Sequence, residues 1–242
     1  MLRILRTNIQ TLGWWNGVLY LLGTALSRAS ADRLRIVKYE LVSQPISTAP
    51  LLPEHRGKKI QVREASSDDP LLRSVPDRRE GVFAERFAQG ARCLLAELNG
   101  ELAGFLWFVK GDYPEDEVRC LFRPLPEGQS VWDYDVYVAK KHRLSPVFLK
   151  LWQAANERLY AEGIHHSASR ISAFNTASRG SHERLGARKA GWALFVCLGP
   201  WQIMVASRKP FVHLSFSRQS RPVLQVGPVA ASAGDDALSQ FD

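Results

Sequence analysis

The chain has only three cysteines in 242 residues, Cys93, Cys120 and Cys197, far apart and each in an apolar, strand-like setting. No CxxC pair and no Cys/His ligand spacing occurs, which excludes the common zinc frameworks. His165 and His166 are adjacent, point apart and have no third ligand in sight, so no metal is expected. An odd, scattered set of thiols fits a reducing compartment and buried side chains, not a disulfide scaffold. There is no internal repeat and no long Lys/Arg run. Nucleic acid is therefore not an expected partner, although the formal charge is +8 and favours anionic partners such as phosphate-bearing cofactors or acidic lipid.

A bilayer-spanning run is also missing, since a helix needs about 20 apolar residues to cross. The longest candidate, Leu12 to Leu26, is shorter and is interrupted by Gly13, Asn16 and Gly17. Arg3, Arg6 and Arg28 flank it, and Ala29-Ser30-Ala31 follows, which partly imitates a signal peptide; Arg28 in the would-be cleavage region argues against that. Leu5, Ile9, Leu12, Leu19, Leu22 and Leu26 fall on one helical face. The expectation is an amphipathic helix that either packs on the domain or meets a membrane surface through residues 1–28, where Trp14, Trp15 and arginine are at home. Location would then be cytoplasmic, peripheral at the inner face of the membrane if that helix meets lipid.

What is present is an ordinary core-forming composition, 45% hydrophobic. Residues 1–56 read as the helix, a strand over Leu34–Val42 and a linker marked by Pro45, Pro50 and Pro53. Residues 57–206 read as the main domain, and residues 207–242 as a polar, disordered tail. Within the domain, Lys59–Arg63 is a short strand and Gly81–Gln89 a helix stopped by Gly90. Two strands around Asn99-Gly100 form a hairpin, because that pair suits a turn with both central φ positive. Gly111–Glu127 reads as a long loop or irregular strand. A strand over Ser130–Val138 follows, then a helix over Pro146–Glu162 with Phe148, Trp152, Ala155 and Leu159 inward. A strand over Arg170–Phe174, a short helix over Ser178–Leu185 and a strand pair over Ala193–Val205 complete the order.

Three pieces of this series carry a resemblance. Asp135, Val138 and Arg143 sit at the spacing of an acidic residue, a valine and a basic turn. Asn175, Ser178, His182 and Leu185-Gly186 follow the next strand. Asn99-Gly100 with Leu102-Ala103-Gly104-Phe105 forms the hairpin. Together, over roughly Ile60 to Val205, they resemble the GNAT N-acetyltransferase superfamily. The resemblance implies an α/β (α+β) fold, a mixed and mainly antiparallel sheet flanked by helices. It also implies an acyl-CoA-dependent N-acyltransferase, with acetyl-CoA or another acyl-CoA as co-substrate and a small-molecule or peptide amine as acceptor. Val136, Tyr137 and Val138 would hold the acyl carbonyl and pantetheine arm. Arg143, Leu144 and Ser145 would meet the phosphates, and Asn175 and Ser178 the arm.

His182 stands where many relatives carry the tyrosine that protonates the leaving sulfur, and at an ordinary pKa near 6.5 it could do so; the plain alternative is a helix-surface histidine. Strand alternation places Asp133 and Asp135 on one face, opposite Val136 and Val138. Either is then a general base, or, if that face meets a helix, structural with Asp135 paired to an arginine. Asn175 also sits where it would cap the following helix. Glu115-Asp116-Glu117 would attract a cationic amine or simply be solvated. The loop departs from the family's glycine-rich form: Pro146 removes an N–H, and Phe148 puts bulk where the loop should be slim. A GNAT-like scaffold of a membrane-associated assembly, without catalysis, and a transferase using a carrier-bound donor are the alternative readings.

Overall fold

The structure, a computed structural model, describes residues 10–75, 79, 81–217 and 219–229. The chain runs α1 (Trp14–Ala29), β1 (Leu34–Pro45), β2 (Gln61–Glu64), α2 (Pro70–Arg73), α3 (Val82–Ala88), β3 (Arg92–Leu98) and β4 (Glu101–Lys110). It continues with β5 (Tyr113–Pro114), β6 (Leu121–Pro124), β7 (Ser130–Val138), a 3-10 turn (Lys140–His142), α4 (Val147–Ala161) and β8 (His166–Ser172). It ends with α5 (Thr176–Glu183), β9 (Arg188–Leu198), β10 (Trp201–Ala206), β11 (Val212–Ser215) and β12 (Val223–Val226).

Nine strands form one sheet in the order β11-β10-β9-β1-β8-β7-β4-β3-β2, and a three-stranded sheet β12-β6-β5 lies apart. Every pair in the large sheet is antiparallel except β7 with β8. The expected α/β architecture, mainly antiparallel with flanking helices, is what forms. The hairpin turn has the geometry its sequence demands: Asn99 and Gly100 have φ of 52° and 79°, and the twist of such a turn matches that of its strands.

Two apolar layers hold the sheet. On one face α4 lays Val147, Leu151, Trp152, Ala155 and Leu159 against Leu94, Leu106, Phe108 and Val131. Phe148 is only partly buried, so the inward stripe is centred on Val147 and Leu151 as well as on the expected Trp152, Ala155 and Leu159. On the other face Tyr39, Phe105, Trp107, Trp132 and Phe195 form a core with Phe122, Leu224 and Val226 of the small sheet. All three cysteines are buried there.

Two expectations need correction, while the loop or irregular strand over 111–127 takes its irregular-strand form. The strand after the helix runs to Pro45 and is central, paired with β8 on one side and β9 on the other. The break at residue 57 therefore cuts through the sheet; a strand's alternation reveals its faces but not its partners. Segment 111–127 contributes β5 and β6. The stretch beyond residue 207 holds β11 and β12, with Leu224 and Val226 fully buried. Four-residue strands inside a polar stretch lack the length that marks a strand locally. Residues 230–242 lie outside the described residues.

Gly104 is a sheet position with no room for a side chain. A Cβ there would lie 2.5 Å from the Tyr137 carbonyl oxygen and 3.0 Å from Val147. Both β7 and the start of α4 rest on its missing side chain. Gly104→Ala is expected to destabilise the protein by about 1–3 kcal/mol, the range for overpacking. A urea titration giving an unchanged midpoint would show that this contact is not tight.

Candidate active-site cleft

The cleft arises from how β7 is paired. On one side β7 follows β4 along its whole length, from Val131↔Lys110 to Val138↔Gly104. On the other side it pairs with β8 at three positions only, Ser130↔His166, Val131↔Ser167 and Trp132↔Ala168. Beyond Trp132 the two parallel strands separate, while β8 continues against β1. The backbone N–H and C=O groups of β7 that would bond β8 thus face a gap, and such groups seek a partner. The gap is a cavity of about 200 Å³, with Asp133–Val136 on one wall and Ser169–Ser172, Asn175, Ser178 and His182 on the other.

A second irregularity sets the directions of the side chains. Trp107 pairs with Tyr134 but Phe105 pairs with Tyr137, so two residues of β7, Asp135 and Val136, oppose Leu106. Asp135 has φ +48°, a left-handed conformation that aspartate tolerates better than most residues. An extra residue inverts the alternation that follows it. Asp133 and Asp135 therefore do not share a face, as simple alternation predicts. Val136 and Val138 join the α4 layer and Tyr137 the opposite one, stacked on Phe105 at 5.1 Å.

Asp135 forms an ion pair with Arg86 of α3, Nη1 to Oδ2 at 2.5 Å, and the guanidinium lies over Trp107 and Tyr134. This is the structural alternative, an aspartate held by an arginine. Asp133 is different. It is buried at the point where β7 and β8 part, and its Oδ1 accepts a hydrogen bond from Ser167 Oγ at 2.6 Å. Burial pushes its carboxyl pKa up to about 7, against the opposite pull of the Ser167 and Ser169 hydroxyls and of Arg170.

His182 is buried, not on a helix surface. Its Nδ1 is 3.2 Å from Gln44 Oε1, and its ring sits edge-on to Phe148 and Trp152 at 6.0 and 5.8 Å. Burial lowers its pKa to about 4. The ring is uncharged near neutral pH, so the role of proton donor drawn from an ordinary histidine pKa does not hold. With Gln44 accepting the Nδ1 proton, Nε2 is left as an acceptor.

The basic turn is arranged less simply than its spacing suggests. Arg143 and Leu144 are exposed, but Ser145 Oγ donates to the His142 carbonyl at 2.7 Å and lies 3.4 Å from the Val147 N–H. Its hydroxyl proton is thus already engaged. Pro146 precedes the helix as its cap. The first-turn amides of Phe148 and Leu149 have no acceptor within the helix, because the first four N–H groups of any helix lack one. Phe148 does not fill the loop: its ring turns in against His182. Asn175 caps α5 as expected, its side chain accepting from Ser178 N at 3.0 Å.

Asp133, Asp135, Val136, Asn175, Ser178 and His182 are thus brought to one cavity, whereas Tyr137, Val138 and the 143–145 turn lie outside its lining. Gln44 and Arg86 were not foreseen; both come from elements whose partners lie far along the chain. Glu115 is neither solvated nor free for a cation. Its carboxylate is fully buried, paired with Arg170 at 2.6 Å and near the Tyr39 hydroxyl at 3.2 Å. Among the described residues no group of His, Cys, Asp or Glu is placed to hold a metal ion.

The chain is similar to known proteins. The profile of the Acetyltransferase (GNAT) family matches residues 60–187. Two L-methionine sulfoximine/L-methionine sulfone acetyltransferases, from Pseudomonas paraeruginosa and Pseudomonas aeruginosa, are each 32% identical over 114 residues. That match covers 47% of this chain and 60% of each relative, so the chain spans less than two thirds of their length. A conserved protein of unknown function from Staphylococcus epidermidis has a similar fold, with a TM-score of 0.50 at 11% identity, covering 72% of this chain and 66% of that one. With more than half of its residues matched by the family profile, and with the parted strands in place, the chain belongs to the GNAT acetyltransferase family.

Proposed function

We propose that the protein transfers an acyl group, acetyl first, from an acyl-CoA to an amine. The observation that carries this is the parting of β7 from β8 after Trp132, with Asp133 buried where they part. The side of β7 that β8 leaves open beyond Trp132 suits the amides of a pantetheine arm, which bind as a strand would. Lys140 and Arg143 are exposed on the turn, and the free amides at the start of α4 present the positive end of a helix dipole to phosphates. Asn175 and Ser178 complete the wall opposite β7. The bound co-substrate supplies an activated acyl thioester.

The chain's own contribution is to orient and to move a proton. Asp133 carries a carboxyl poised near neutrality, suited to receive a proton from an ammonium as it becomes a nucleophile. Gln44 fixes the His182 ring, and the neutral ring fills the wall beside Phe148. Asp135 positions the strand through Arg86. The Pseudomonas relatives bear the name of acetyltransferases of methionine sulfoximine and methionine sulfone, so small α-amino acid amines are the first acceptors to test.

Two measurements test this reading. Calorimetric titration of the full chain should show acetyl-CoA and CoA binding in the micromolar range, weakened about five- to tenfold in Arg143→Ala, as for one partly solvated charge–phosphate contact. Absence of binding at millimolar ligand would overturn it in favour of a scaffold or a carrier-bound donor.

The second is a pH profile. If the Asp133 carboxylate is the base, kcat/KM should fall as pH drops through about 7. Ser167→Ala removes a hydrogen bond that favours the ionised form, so it should move this limb to higher pH. Asp133→Asn retains an acceptor for Ser167 and should lower kcat about 100-fold or more with CoA affinity unchanged. A profile that is flat from pH 5.5 to 8.5 in the native protein would remove Asp133 from the role.

A further inference from the structure

The outer strands of the large sheet break the usual rule of an antiparallel sheet, apolar toward the core and polar toward water. Along β10 the inward residues are Gln202, Met204 and Ala206, and the outward ones are Trp201, Ile203 and Val205, exposed by 57, 47 and 38%. Along β11 and just past it, Val212, Leu214 and Phe216 are likewise outward and exposed. The register joins these into lateral rows: Ile36 of β1 opposes Val196, which opposes Ile203, which opposes Leu214. Helix α1 packs over the first position of that row, where a Cβ on Gly23 would lie 3.4 Å from Ile36 Cβ. Its own Leu22 and Leu26 remain exposed. An apolar surface of this extent on a folded protein marks an interface.

Charge identifies the partner. Residues 40–183, which include β7, β8 and the cleft, carry a net −1, while residues 1–39 carry +5 and residues 184–242 carry +4, with carboxylate side chains only at Asp235, Asp236 and Asp242. The apolar face is made from these last two segments. Arg28 and Arg33 stand at the α1–β1 end, and Lys209 stands beside exposed Phe211 at the β10–β11 turn; none of these three cations is in an ion pair among the described residues. Asp32, the carboxylate of that edge, is hydrogen-bonded to Ser27.

We propose that the β9–β11 face with α1 seats the protein on an anionic lipid bilayer, its Trp and Phe rings entering the headgroup region and its rim cations meeting lipid phosphates. Apolar side chains ringed by cations and interfacial aromatics are the composition of such a contact. A second copy of the chain is the poorer occupant, because a symmetric contact would bring two faces of the same positive charge together.

Flotation of the full chain with phosphatidylcholine vesicles, alone and mixed with phosphatidylglycerol, tests this. Co-flotation is expected only with the anionic vesicles and should weaken with added salt. Ile203→Glu/Leu214→Glu should lower lipid affinity at least about tenfold, and Arg33→Gln/Lys209→Gln by a similar factor, since each cation near such a surface contributes on the order of a few-fold. Circular dichroism of both variants should match the native chain, because all four side chains are exposed. No flotation of the native chain at low salt, flotation unaffected by both variants, or a dimer in ultracentrifugation that Ile203→Glu/Leu214→Glu dissolves would each overturn the proposal.

Discussion

The cleft depends on one asymmetry in the pairing of β7, which stays with β4 to its end but leaves β8 after three residues. Two local features keep it so. Gly104 lets the Tyr137 carbonyl come closer than any side chain would allow, which holds the far end of β7 against β4. The two-for-one bulge at Asp135 and Val136 bends the strand at the level of the gap. A left-handed non-glycine residue costs on the order of 1–3 kcal/mol and persists only where its surroundings fix it. Here the fixing group is Arg86, buried over Trp107 and Tyr134 and joined to the Asp135 carboxylate. The aspartate at the family's spacing thus maintains the shape of the cleft that Asp133 lines.

Asp133 and His182 show why that shape matters chemically. Burial acts on both, but in opposite directions, because it disfavours whichever form is charged. The carboxyl rises to about 7 and the imidazole falls to about 4, so their ordinary order is reversed. A proton entering the cleft near neutrality goes to Asp133 before it goes to His182. The histidine then serves as a neutral, oriented part of the wall, set by Gln44 on one side and by Phe148 and Trp152 on the other.

Much of this was readable from the residues alone. The Asn99-Gly100 turn, the strand at Ser130–Val138, the helix behind it and the cap at Asn175 all follow from local rules, and local rules suffice where a residue's conformation depends on its neighbours in sequence. What could not be read depends on distant partners. Nothing near Leu34–Pro45 says that this strand lies between β8 and β9, and so nothing says that Gln44 will meet His182 across 138 positions. The bulge is equally silent: the run from Trp132 to Val138 alternates cleanly, and the inversion at Asp135 appears only when β4 is laid beside it. The depressed His182 follows from burial, which a helix of eight mostly polar residues does not advertise.

The altered turn before α4 fits the same picture. A glycine-rich loop meets phosphates with backbone N–H groups that are already ordered. Here Ser145 is engaged with His142 and Pro146 has no N–H to give, so that means is reduced. Phe148 offsets this in part: by folding against His182 it leaves the helix start uncovered, with the amides of Phe148 and Leu149 free and Lys140 and Arg143 alongside. In the proposed reaction, recognition of the co-substrate rests more on Lys140 and Arg143 and less on fixed backbone. Such contacts are screened by salt and require ordering of flexible stems. They also tolerate more varied anionic donors than a close-fitting loop does, because a cation on a flexible stem follows a phosphate that a rigid nest would exclude.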